Sequence, residues 1–173
     1  MRTVVLTEAS ADKPTKANIL ARLRAIEQMR PEDTLVVFLA SHGTTDAAEY
    51  YFITKDADPA DVRKLVDAEG RRTRLPPGSV PSLLTGTELT GALRRLPGRR
   101  ILVLDTCHAG AAGNSDPYSL VKRSASAQLA VMSAARGDEA SCDSPSRPHG
   151  AFTIAVIDAL TGRLDALPEG PLP

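Results

Sequence analysis

Tryptophan is absent, and three phenylalanines with three tyrosines bring the aromatic share of the 173 residues to only 3%. So few rings exclude a base-stacking platform for single-stranded nucleic acid and an aromatic belt at a membrane interface. Charge of one sign is missing too: 21 basic and 21 acidic residues cancel, so no broad field draws the chain to nucleic acid or an anionic membrane. Cysteine is scarce. Cys107 and Cys142 are the two present, too few for a disulfide framework. "MRTVVLTEAS" carries no charged-then-apolar leader, and no apolar run is long enough to span a bilayer. The expectation is a reduced, cytoplasmic protein with no nucleic-acid or membrane partner, in which Cys107 and Cys142 stay unbonded.

What is present is a set of short apolar runs in a chain long enough for one domain. "RTVVLTE" (2–8), "DTLVVFLASHG" (33–43) and "RRILVLDT" (99–106) read as buried strands, with "YYFIT" (50–54) and "QLAVMSAA" (128–135) as further ones. Helical spacing runs through 15–28, where Ile19, Leu20, Leu23 and Ile26 share a face behind a Thr15 cap. It recurs through 85–98 and 150–162. The charged, proline-rich stretch 56–84 reads as a long surface loop with a helical turn near Asp61–Val66, and 111–127 as a second polar loop. Alternating strands and helices predict an α/β domain with a mostly parallel sheet covered on both faces.

In such sheets chemistry collects at the carboxyl ends of the strands. Two strands end in reactive groups here: one runs into Ser41-His42-Gly43 and the other into Asp105-Thr106-Cys107-His108. A thiol has a pKa of about 8.5 and needs a base to become a nucleophile at neutral pH. An imidazole supplies that base and later protonates the leaving amine. His42 suits the role better than His108, because successive residues of a strand project to opposite faces. Gly43 leaves room for substrate, and the backbone N–H groups of Gly43 and Cys107 are candidate oxyanion donors.

"FLASHG", "LDTCHAG", "SAARGDEASCD" and "HGAFT", in that order, resemble the caspase-like cysteine peptidases, most closely the metacaspase and bacterial caspase-homologue branch. The resemblance covers about residues 2–162. It implies a single caspase-like domain over 1–173, a three-layer α/β/α sandwich around a mostly parallel sheet. The nucleophile-bearing part would be about 1–120, the linker about 111–127 and the small-subunit-like part about 128–165. It implies Cys107 as nucleophile, His42 as general base and acid, and Asp105 in the wall of the primary specificity pocket. Asp143, where "SCD" matches that branch's Ser-Ala-Asp, is the second pocket acid. Acidic pockets select arginine, and lysine less well, by charge-assisted bonding. Self-cleavage is then expected in "SLVKRSASAQ", at Lys122 or Arg123. The resemblance requires no cofactor, although some metacaspases depend on calcium. It lacks one strand and helix ahead of residue 2, so a further domain or a second chain is expected to complete the sheet.

Plainer roles are expected for the remaining reactive residues. His108 and His149 read as structural, and Cys142 as a loop thiol near the cleft. Asp56, Asp58 and Asp61 lack the glycine and terminal glutamate of a calcium loop, and no zinc-ligand spacing joins Cys107, His108, His42 and Cys142. No metal site is expected. Two other functions keep the same motifs: an idle caspase-like scaffold or regulatory module, and a small-molecule thiol hydrolase or acyltransferase, which would need no acidic pocket.

Overall fold

Val36, Phe38 and Ala40 alternate with Leu35, Val37 and Leu39, and the second set packs inward while the first stays exposed. This two-residue period makes Thr34–Thr45 a strand (β1) with one apolar face in the core. The computed structural model describes residues 2–26, 28–46, 48–71, 73–108, 129–134 and 151–163, with 107, 108 and 151 described by their backbone. Among these, β1 is joined by Tyr50–Ile53 (β2), Leu84–Thr85 (β3), Arg99–His108 (β4) and Leu129–Ser133 (β5). The helices are Lys16–Arg24 (α1), Pro59–Gly70 (α2), Gly86–Arg94 (α3) and Ala151–Leu160 (α4).

The sheet runs β3-β2-β1-β4-β5. β1, β4 and β5 are parallel, whereas β2 returns antiparallel along the end of β1, and β3 pairs antiparallel with β2. The sheet is therefore mixed, with a parallel core. Phe52, Leu39, Leu102 and Leu104 meet Leu23 of α1 and Leu89 and Leu93 of α3 on one face. On the opposite face Tyr51 packs with Leu65 of α2, and Asp105 of β4 accepts a hydrogen bond from Thr153 of α4. Helices thus lie on both sides of the strands.

Four expectations are corrected. Residues 2–8 form no strand: Val4 and Val5 are exposed, and an apolar run without a strand beside it gains nothing from β pairing. The stretch expected as a loop contains the 12-residue helix α2. It starts where the Asp58 carboxylate accepts from Ala60 N–H and Pro59 occupies the first turn, its missing N–H costing nothing there. The sheet is also less uniform than expected, because Asp46 and Glu49 close a hairpin between β1 and β2. β1 and β4 also end two residues later than the 33–43 and 99–106 expected, so Cys107 lies within the ladder together with His42 and Asp105.

Gly98 adopts φ 78° in the turn into β4, and a Cβ there would stand 2.4 Å from the Asp33 carbonyl. Glycine is the residue this approach admits. Arg100, though in a core-facing register, is buried with its guanidinium donating to the carbonyls of Leu93, Arg94 and Leu96, which closes the carboxyl end of α3.

Candidate functional site

The pairing of β1 with β4 decides how the reactive residues meet. Its register sets Ala40 beside Asp105, Ser41 beside Thr106, His42 beside Cys107 and Gly43 beside His108. Paired residues of neighbouring strands share a face and stand about 4.8 Å apart. His42 and Cys107 therefore occupy one rung on one face, and Asp105 lies on that same face one rung below. His108 falls on the alternate set, with Gly43 and Thr106. The imidazole of His42 is exposed, as a group meeting a substrate must be.

The rungs beneath the pair have a graded character. Asp105 is half-buried and accepts from the Thr153 hydroxyl of α4. Its neighbour across the ladder is Ala40, whose methyl leaves the carboxylate room. Next on the same face come Phe38 and Met132, each 48% exposed, then Val36, 58% exposed. A carboxylate above an apolar floor matches a long side chain with a methylene stem and a cationic head.

The other face holds the ladder rigid at the same level. The Tyr50 hydroxyl and the Thr106 hydroxyl lie 2.8 Å apart, both buried. Tyr50 stacks edge-on against Phe52 with centroids 4.9 Å apart. A Cβ on Gly43 would stand 2.1 Å from the Tyr50 hydroxyl oxygen. This corrects one expectation: the space Gly43 leaves is filled by Tyr50, not by substrate.

The hairpin after His42 is tied down by Asp46, which is 1% exposed. One carboxylate oxygen accepts from Ala48 N–H (2.6 Å) and Glu49 N–H (2.7 Å); the other accepts from the Tyr51 hydroxyl (3.1 Å) and Leu75 N–H (2.9 Å). Burial, with the charge of Asp46 and its hydrogen bond, raises the Tyr51 phenol above its ordinary pKa. Glu49 accepts from Thr87 N–H at 3.3 Å, fixing the hairpin to the first turn of α3.

Sequence reasoning passed over Asp46, Tyr50, Thr106 and Thr153. The one readable signal was an aspartate before small residues between two strands, the pattern of a side chain closing its own turn. Asp143, Lys122, Arg123, Cys142 and His149 lie outside the described residues. The acids of the α2 region have structural partners. Asp56 accepts from Lys16 N–H and the Thr54 hydroxyl, Asp58 caps α2, and Asp61 accepts from Ser82 and Lys64. Among the described residues, no three His, Cys, Asp or Glu side chains gather as a metal site, and no helix is long and apolar enough to cross a membrane.

No protein-family model matches the chain, and no curated protein is significantly similar to it.

Proposed function

We propose that the chain is a caspase-like cysteine endopeptidase that hydrolyses peptide bonds after arginine, with lysine second. The observation that carries this reading is the β1–β4 register, which brings His42 and Cys107, 65 residues apart in sequence, to one rung. In the reaction His42 takes the Cys107 proton, the thiolate attacks the scissile carbonyl, and the amine leaves with the proton from His42. Water then releases the acid from the thioester. Gly43 and Cys107 both pair within the β1–β4 ladder, so their N–H groups serve the oxyanion only where that pairing opens at the strand ends. Asp105, steadied by Thr153, binds the cationic head of the substrate residue, with Asp143 as second acid. Calcium is an optional activator in this reading.

Hydrolysis of fluorogenic peptides ending in Arg, Lys or Asp, with and without calcium, tests it. The Arg peptide should turn over fastest, the Asp peptide not at all, and Cys107→Ala should abolish turnover. A second reading, a scaffold or regulatory module of the same fold, draws on the exposed Val36, Phe38 and Met132 on the candidate face, an apolar surface suited to a protein partner. A folded protein that hydrolyses none of the peptides would favour that reading.

A further inference from the structure

The basic run "GRRTRLPPG" ends against the hairpin that follows His42. Thr73 and Arg74 are exposed, and so are Pro76, Pro77 and Gly78. Between them Leu75 turns inward. Its side chain packs against the cluster of Tyr51, Leu65, Val80 and Leu83, and its N–H donates to the buried Asp46 carboxylate at 2.9 Å. The bond joining an exposed arginine to an anchored leucine is therefore the one whose nitrogen already touches a buried anion.

We propose that the Arg74–Leu75 bond is a processing site and that Asp46 captures the amino terminus its hydrolysis creates. Water adds to the Arg74 carbonyl carbon, the bond to the Leu75 nitrogen breaks, and Arg74 keeps a carboxylate. The released amine takes up a proton, since an α-amine has a pKa of about 7.7–8.0. When Leu75 settles back after the cut, Asp46 meets an ammonium where it had a neutral N–H donor. The new ammonium adds a full positive charge to the bond that the Leu75 nitrogen already makes with the Asp46 carboxylate. Leu75 has two anchors after the cut, its side chain in the cluster and its nitrogen on Asp46. Asp46 lies four residues after His42, so processing fixes the hairpin that carries the candidate base. Opening the site for a peptidase lifts Leu75 and breaks the Asp46 bond, with exposed residues on both sides to enter a cleft.

The source of the cut rests on the arginine specificity proposed above; the capture does not. Trypsin separates the two. Limited tryptic digestion of the full chain carrying Cys107→Ala should yield Leu75 as an early new amino terminus by mass spectrometry, with the fragments still co-eluting. Under native conditions acetic anhydride should acetylate that amine about tenfold more slowly than in the denatured digest, a factor worth about 1.4 kcal/mol. Asp46→Asn, digested likewise, should lose the protection. If that variant does not fold, the native-to-denatured comparison in the parent decides. Failure of trypsin to produce a Leu75 terminus, separation of the fragments, or acetylation at the denatured rate would each overturn the proposal. In a second arm, active chain is incubated with tagged Cys107→Ala chain. The same cut there supports self-processing, and its absence beside a positive trypsin arm assigns the cut to another arginine-specific peptidase.

Discussion

At position 43 a methyl group decides whether the ladder holds. Gly43→Ala places a Cβ against the Tyr50 ring, and the ring must leave Thr106 to make room. Such overpacking costs about 1–3 kcal/mol, so urea denaturation should show a loss in that range together with slower labelling or turnover at Cys107. Tyr50→Phe is gentler: it leaves the buried Thr106 hydroxyl short of a partner, and a loss of about 1–2 kcal/mol is expected without a change of fold. Asp105→Asn removes the charge beneath the rung while keeping its shape. The Arg-peptide kcat/KM should fall by about 30- to 100-fold, the equivalent of about 2–3 kcal/mol for a charge-assisted bond. An unchanged Arg-to-Lys-to-Asp preference in that variant would remove Asp105 from the pocket. Cys107, His42 and Asp105 were legible as residues because each is a chemically costly side chain placed at the end of an apolar run. Thr153 was not, since a threonine in a helix acquires a role only from what lies opposite.

Among the elements, α3 shows how much of a helix is local and how much is not. Its start is written in the chain: Thr85 and Glu88 form a reciprocal capping box, and Leu89 and Leu93 follow on the buried side. Thr85→Ala should cost about 1 kcal/mol in chemical denaturation. Its end is tertiary, closed by the Arg100 guanidinium from the neighbouring strand. Arg100→Met should cost about 1–3 kcal/mol, because the carbonyls it serves are left without that donor in the interior. The same contrast explains the misread elements. α2 begins with an Asp-Pro pair that marks a loop as readily as a helix start, and its amphipathic face is understood only once Tyr51 and Val80 are seen against Leu65. Residues 2–8 have the composition of a strand, and composition does not supply a strand to pair with.

For the whole molecule, ionisation should limit stability from both sides. Burial opposes ionisation of Asp56 and Glu88, yet hydrogen bonds and the charge of Lys16 hold both carboxyls below their usual values of 3.8 and 4.5. Ser82, by its N–H and hydroxyl, lowers Asp61 in the same way. A carboxyl lowered in the folded state contributes stability above its unfolded pKa and loses it as pH falls through the folded value. The melting temperature should therefore hold steady from neutral pH down to about 5 and then fall progressively below about 4.5. Tyr51 acts oppositely: its phenol is raised in the fold, so its contribution is complete below about pH 10 and is lost as pH rises beyond. A thermal scan against pH checks both limbs. Tyr51→Phe should flatten the alkaline limb and leave the acid limb in place.

The sequence by itself determined the β1 and β4 strands, the α/β class and the short list of reactive residues, because apolar periodicity and scarce side chains are properties of the chain alone. The tertiary structure decided the rest: which rung His42 shares, that Tyr50 fills the space beside Gly43, and that Asp46 reaches Leu75 across 29 residues. Register, burial and hydrogen bonding across long separations arise from packing one element on another, and no local pattern of residues encodes them.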